Sequence, residues 1–348
     1  MEAICGASWR SRSAPAGRLP ERSRRRTLSS SLPPPARVAV RSESGANRMF
    51  VFGTGFVGRY VSDRLKKEGW QVFGTCTSPS SKRVLEEMGL EAFIFDVHNS
   101  KLRSLHMLQH ASHLLISIPP IVGIGDPLLC LHEDLQGSLS HGNLQWLCYL
   151  SSTSVYGDCG GAWVDEDYPV NPQNESAKSR LAAEKGWLAL GRELGVIVNV
   201  FRLGGIYGPG RSALDTILKR ESLLEGQKRR ETRLYTARVH VSDIYQAIKA
   251  SFDIPSSGKI YNVVDDDPAP RAEVFAFAEA LIERRWPHMA SRSACGSVED
   301  LKSLKESMRG EKRVSNARLK RDLGVRLRYP TYRLGLQSIL DSWEPHPE

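Results

Sequence analysis

Between residues 49 and 201, short apolar runs alternate with stretches whose apolar positions recur at helical spacing. Met49-Phe50-Val51-Phe52 is a continuous apolar run, as expected of a strand covered on both faces of a parallel sheet. Residues 71–76, 92–95, 114–118, 147–150 and 196–201 repeat the pattern. After the first run, Val57, Tyr60, Val61 and Leu65 share one helix face, and Gly69 closes that helix. Strands alternating with helices predict an α/β fold with a doubly wound parallel sheet, its ligand site at the strand C-terminal ends. Further on, Val274, Phe275, Ala278, Leu281 and Ile282 mark a core-facing helix over 272–285. Tyr329-Pro330-Thr331-Tyr332 and the apolar positions of 334–340 predict a terminal helix. Residues 291–313 are polar and charged and read as a mobile connection. The expected division is a nucleotide-binding domain over 48–207, completed by 236–266, and a smaller C-terminal substrate lobe from 208–235 and 267–344. No internal repeat is visible.

Charge sets the first 47 residues apart. The chain carries a formal +9, yet residues 1–48 alone hold ten Arg against three Glu, with no Lys or Asp, which leaves +2 for the other 300 residues. The body therefore has no basic domain to grip a phosphate backbone, and nucleic acid is not an expected partner. The leader is rich in Arg, Ser and Pro, lacks the apolar core of a secretion signal, and has no period that could bury a face. It reads as a disordered organelle transit peptide, with the chloroplast as destination and the mitochondrion as the alternative. No apolar run approaches the roughly 18 residues that span a bilayer, so the chain is expected to be soluble, with no membrane partner. The six cysteines form no C-x-x-C pair, and no metal site is expected.

The chemistry begins at Gly53-Thr54-Gly55-Phe56-Val57-Gly58, a G-x-G-x-x-G that follows a strand and opens a helix. Gly53 suits the tight turn, Gly55 lets the backbone approach a pyrophosphate, and Gly58 lets the helix pack on the sheet. The helix N-terminus offers free N–H groups and a positive dipole end. A glycine turn with no ligand is the plainer reading. An NAD protein would place an acidic residue after the second strand; here the chain reads Thr75-Cys76-Thr77-Ser78, then Lys82-Arg83. That favours NADP over NAD as cofactor. Lys82 and Arg83 can equally be an exposed helix start. Asp96 ends the third run, where related folds touch the adenine, and Pro119 follows the fourth.

Four further segments match one family in order. Ser151-Ser152-Thr153-Ser154-Val155-Tyr156-Gly157, the run 202–211 reading RLGGIYGPGR, Arg238-Val239-His240-Val241-Ser242-Asp243 and Tyr261-Asn262-Val263 resemble signatures of the extended short-chain dehydrogenase/reductase superfamily. That superfamily includes NAD-dependent nucleotide-sugar epimerases, dehydratases and reductases. The resemblance spans roughly residues 49 to 340 and implies a Rossmann-type fold. It also implies a Ser or Thr that holds the substrate oxygen, a Tyr that passes the proton and a Lys that lowers the Tyr pKa and binds the ribose. Ser152 matches the hydroxyl position. Aligned on Pro172 and Glu184, the Tyr has become Ser176 and the Lys has become Arg180.

Ser176 and Arg180, four apart, share a helix face. Arg180 can donate to ribose hydroxyls but, with a pKa above about 12, cannot act as an acid. A serine hydroxyl offers no accessible anion without a dedicated base. The ordinary relay is therefore broken, as in the atypical subgroup of the superfamily. The nearest resemblance is to plant and bacterial members of unassigned reaction that carry the pattern of Gly160-Gly161-Ala162-Trp163-Val164-Asp165-Glu166. Tyr245-x-x-x-Lys249 lies after the sixth strand, in the wrong place for catalysis. Replacement acids would be Asp165 and Glu166, whose plainer role is to cap a turn. Arg211, Arg238 and His240 match positions near the substrate, which suits a small-molecule substrate and in particular an anionic one; salt bridges and backbone bonding are their plainer uses. Two functions stay open: an NADP-dependent oxidoreductase or epimerase-like enzyme, and a non-catalytic NADP-binding sensor, scaffold or assembly factor. Oligomeric state is left open.

Overall fold

The structure is a computed structural model that describes residues 47–96, 102–140, 142–219, 233–254, 256–287 and 310–343. The chain divides into two units, Met1–Gly45 and Ala46–Glu348, and the leader and most of the expected connection at 291–313 lie outside the described residues.

Seven strands form the main sheet: β1 (Arg48–Phe52), β2 (Gln71–Cys76), β3 (Glu91–Ile94), β4 (His113–Ile116), β5 (Trp146–Ser152), β7 (Ile197–Leu203) and β10 (Lys259–Val263). They run in the order β10-β7-β5-β4-β1-β2-β3, and every pairing is parallel. Strand order reverses between β1 and β4, the place where an open α/β sheet leaves a crevice beyond its strand C-termini. Two short parallel pairs escaped the apolar pattern: β6 (Trp163–Val164) with β11 (Arg313–Val314), and β8 (Gly205–Tyr207) with β9 (Arg238–His240). Two or three residues are too few to show a period.

Both faces of the sheet are covered. Met49 and Val51 point into one core with Val57, Val61 and Leu65 of α1 (Phe56–Lys67), Leu85 of α2 (Pro79–Glu87), Ile244 and Ile248 of α6 (Val241–Asp253), and Leu319 of α8 (Ala317–Leu323). Phe50 and Phe52 point the other way, toward α3 (His132–Ser140) and α4 (Glu175–Leu194). This two-residue alternation inside an all-apolar run explains why β1 needs no polar face. A third core joins Tyr207 to α5 (Ala213–Leu218), α7 (Arg271–Arg285) and α9 (Tyr332–Asp341). Among the described residues no helix is long and apolar enough to cross a membrane.

Candidate functional site

The glycine turn joins β1 to α1 at the C-terminal edge of the sheet, beside the reversal of strand order. Gly53 has φ +88°, and a Cβ there would lie 2.9 Å from Ile118 Cγ1 of the connection after β4. Gly58 admits no side chain either, because its Cβ would sit 2.2 Å from the Gly53 carbonyl oxygen. Gly55 differs: a Cβ there meets nothing within 4 Å. Its backbone therefore fronts open space, beside the first turn of α1, which has no side-chain cap. Thr54 is buried, Phe56 half-buried and Val57 buried. This fits a pyrophosphate, which would approach Gly55 and bond to the free N–H groups of the helix start.

The turn is held from β2. Thr75 Oγ1 accepts the Gly53 N–H at 2.9 Å, and the Thr75 carbonyl accepts Thr54 N–H at 2.9 Å and Thr54 Oγ1 at 2.8 Å. A Cβ on Gly74 would lie 2.5 Å from Thr54 Cγ2. Sequence reasoning passed over this pair. A glycine inside a strand is a sign that another part of the chain comes close, and Gly74 carries that sign. Beyond β2, Thr77 is exposed, Ser78 caps α2 by accepting Ser81 N–H at 3.2 Å, and Ser80 and Ser81 hydroxyls lie 3.0 and 2.9 Å from Ser78 Oγ. Lys82 pairs along the helix with Glu86 at 3.6 Å, and Arg83 is exposed. Asp96 stands two residues past β3.

After β4 the chain passes Ser117, Ile118 and the exposed Pro119, then folds into a tight hairpin. Ile121 N–H and the Gly125 carbonyl bond at 2.8 Å, with Gly123 at φ +86° and Gly125 at φ +93°. Asp126 closes it, accepting the N–H groups of Leu128 and Leu129 and, at 2.8 Å, Trp187 Nε1 of α4. Burial raises the Asp126 carboxyl above its usual range, and the Trp187 bond opposes this.

Arg180 sits half-buried on α4, one turn before Glu184, and Ser176 is exposed. Tyr149 of β5 is fully buried. Burial pushes that phenol well up, the Asp126 charge adds to the effect, and Arg180 opposes it. Glu184 accepts Ser151 Oγ at 2.6 Å and Arg202 Nη2 at 2.7 Å, and Arg202 Nη1 reaches Tyr156 Oη at 3.0 Å. Tyr156 Oη donates to Asn262 Oδ1 at 2.8 Å, and Asn262 N–H donates to Glu166 Oε1 at 2.7 Å. This chain of buried polar contacts ties β5, α4, β7 and β10 beneath the site.

The sequence candidates divide accordingly. Ser152 is half-buried at the strand end, and its Oγ accepts Ser154 N–H at 3.2 Å. Asp165 is exposed and accepts Asp167 N–H at 3.1 Å, while Glu166 is buried against Asn262 and Arg318. Burial raises the Glu166 carboxyl, with the Asn262 N–H working against it. Arg211 is exposed and lies over Phe56, 5.3 Å from the ring centroid, on the lip of the glycine turn. Arg238 is turned inward: it donates to Thr236 Oγ1 at 2.7 Å and the Ala269 carbonyl at 2.8 Å, beside Tyr332. His240 is buried between Tyr207 and Tyr329 and accepts Ser242 N–H on Nδ1 at 3.1 Å. Burial, then Arg328, lowers its pKa to about 4, so it is neutral at pH 7. Tyr245 and Lys249 both bond to Glu68, and Lys249 lies over Trp70, the residue before β2, at the opposite edge of the sheet from the glycine turn. Among the described residues no group of three or more His, Cys, Asp or Glu is placed to hold a metal ion.

Comparison with known proteins agrees with the fold. The model of the NAD dependent epimerase/dehydratase family matches residues 49–264. Protein YeeZ of Escherichia coli K12 is 28% identical over 290 residues, covering 81% of this chain and 96% of YeeZ. A functionally unknown conserved protein from Silicibacter pomeroyi superposes with a TM-score of 0.67 at 33% identity, over 86% of this chain and 100% of that one. UDP-glucuronic acid 4-epimerase from Bacillus cereus, solved with NAD, superposes with a TM-score of 0.63 at 16% identity, over 84% and 97%.

Proposed function

Because the chain belongs to the NAD dependent epimerase/dehydratase family, we propose that it binds a nicotinamide dinucleotide at the glycine turn without the family's ordinary proton relay. The observation that carries this reading is the pairing of an open Gly55 cradle with Ser176 and Arg180 where the relay Tyr and Lys would stand. When bound, the cofactor would supply a hydride acceptor or donor. Gly53 to Gly58 would hold the pyrophosphate, and Arg180 the nicotinamide ribose. The displaced acids give little support to a substitute relay, since Asp165 serves a turn and Glu166 serves the Asn262 backbone. The protein then acts as an NADP-binding sensor, scaffold or assembly factor.

NADP is preferred over NAD in this reading. No carboxylate follows β2 to repel a 2′-phosphate, and Thr77, the serine hydroxyls at the start of α2, Lys82 and Arg83 lie on that side. A second reading, an oxidoreductase or epimerase-like enzyme acting on a small molecule, draws on Ser152, which keeps the substrate-hydroxyl position at the strand end. Titration with NADP+ and NAD+, followed by mixing the reduced complex with carbonyl compounds while watching nicotinamide absorbance, separates the two. Cofactor binding without absorbance change supports the first reading, and turnover supports the second. Residues 1–47 are proposed as the transit peptide, for the chloroplast first and the mitochondrion second; import of a fusion carrying only this segment tests the assignment.

A further inference from the structure

Residues 208–211 read Gly-Pro-Gly-Arg, the pattern of a type II turn, in which proline fixes the second position and glycine supplies the positive φ of the third. The structure has that turn. Gly210 lies at φ +80°, the Gly208 carbonyl accepts Arg211 N–H at 3.0 Å, and the Arg211 carbonyl accepts Gly208 N–H at 3.0 Å. Both ends of the turn are pinned. A Cβ on Gly208 would lie 2.7 Å from Val241 Cγ1 at the start of α6 and 3.3 Å from Phe56 Cζ, so the turn is pressed against the first residue of α1. On its other side, buried Ser212 caps α5 by accepting Asp215 N–H at 3.2 Å.

The backbone of Arg211 is thereby fixed, and its guanidinium lies over the Phe56 ring, 5.3 Å from the centroid. Phe56 is the fourth residue of the glycine motif and opens α1, at the positive end of that helix. The chain does not neutralise this end. The first turn of α1 has no acidic residue, Gly55 gives no side-chain cap, and among the described residues no carboxylate pairs with Arg211. Two positive groups are therefore held side by side, which costs energy unless an anion joins them. Stacking on Phe56 keeps the guanidinium in place, and its N–H donors, which lie in its plane, stay available to such an anion.

From these contacts we infer that Arg211 is a cofactor residue and not a substrate residue: its guanidinium bonds the pyrophosphate of the dinucleotide, together with the free N–H groups of α1. The inference rests on the proposed dinucleotide site and adds to it a residue that lies outside the glycine motif. The turn runs straight into α5, which packs in the third core, so a bound pyrophosphate is held from both sides of the glycine turn. The pyrophosphate is common to NADP, NAD and ADP-ribose, and Arg211 does not distinguish among them.

The experiment uses the full chain and measures the dissociation constants of NADP+, NAD+ and ADP-ribose by isothermal calorimetry. Arg211→Gln removes the charge and keeps a planar polar group. It should weaken all three ligands by the same factor, about ten- to hundred-fold, the loss expected for a charge-assisted bond. Arg211→Lys keeps the charge without the fork and should fall between Arg211→Gln and the wild type. Both variants should melt within about 2 °C of the wild type, because the side chain is exposed. Unchanged affinities in Arg211→Gln would overturn the inference and return Arg211 to the substrate. A loss confined to NADP+ would overturn it by moving the contact to the 2′-phosphate, and a loss that spares ADP-ribose by moving it to the nicotinamide half. Weakened binding with melting lowered by 5 °C or more, roughly the effect of 1 kcal/mol, in both variants would make Arg211 a structural part of the turn and sink the inference as well. A wild type that binds none of the three would refute the dinucleotide reading itself, and this inference with it; a wild type that binds them as tightly as Arg211→Gln does would refute the inference alone.

Discussion

Gly55 and Gly58 belong to one motif but are required for different reasons, and a pair of alanine variants separates them. At Gly58 the new methyl would lie 2.2 Å from the Gly53 carbonyl oxygen and 3.1 Å from Val51 Cγ1, atoms of the turn and of β1 that cannot swing aside. Alanine in an exposed helix interior normally gains about 1 kcal/mol over glycine. Here that gain is outweighed by overpacking, which typically costs about 1–3 kcal/mol. The expected result is a lower melting temperature, by roughly 2–8 °C, with weakened cofactor binding as a consequence of the distorted turn. At Gly55 the methyl meets nothing within 4 Å, so the folded protein should tolerate it at the cost of a poorer helix cap, about 0.5–1 kcal/mol. The space it fills is the one proposed for the pyrophosphate. Dinucleotide affinity should fall by about ten- to hundred-fold for Gly55→Ala, the equivalent of losing one or two charge-assisted bonds, and further for Gly55→Val. Differential scanning calorimetry and NADP+ titration by isothermal calorimetry read the two effects independently. A stable Gly55→Val protein that binds NADP+ like the wild type would refute the cradle, and a Gly58→Ala protein with unchanged melting would refute the packing argument.

Thr75→Val keeps the shape of the side chain but removes the acceptor of the Gly53 N–H, and should weaken NADP+ by about ten-fold; Thr75→Ser should restore it, and equal affinity of all three proteins would count against the anchor. Arg180→Ala should cost cofactor affinity about ten- to hundred-fold while Ser176→Ala stays near neutral; a large loss of turnover in Ser176→Ala at saturating cofactor would show that this hydroxyl does chemistry. Glu184→Gln leaves the buried Arg202 guanidinium without its counter-ion and should destabilise the fold by about 3–5 kcal/mol in urea unfolding. His113 is packed among Trp70, Trp146 and Phe252, and burial, then Lys249, lowers its pKa to about 4. The unfolded chain takes up that proton near pH 6.5 and the folded chain does not, so stability is full above pH 6.5 and falls as pH drops toward 4. His113→Phe should remove up to about 2 kcal/mol of the loss between pH 6.5 and 5, and an unchanged pH slope in the variant would argue against the buried neutral imidazole.

Local order was decided by the sequence. The all-apolar runs specified a sheet covered on both faces, because only a strand buried twice lacks a polar face. The G-x-G-x-x-G placed the glycine turn, because backbone conformation at Gly53 and the Gly53 carbonyl beside Gly58 exclude a Cβ at both positions. The residues at the expected relay positions were equally legible, since Ser176 offers no accessible anion without a base and Arg180 cannot act as an acid in any fold. What the sequence left open was the destination of each polar side chain. Arg211 and Arg238 look alike on paper, yet one lies exposed on the glycine turn and the other spends its donors on Thr236 and Ala269. Glu166 and Asp165 are adjacent, but one is buried against Asn262 and the other is exposed in a turn. Thr75 and Asp126 acquire their places only through neighbours that lie 22 and 61 residues away, at Gly53 and Trp187. Hydrophobic period is a property of neighbours in sequence and survives in the bare string. Hydrogen-bond partners and burial are properties of neighbours in space, and they exist only once the strands have been laid side by side.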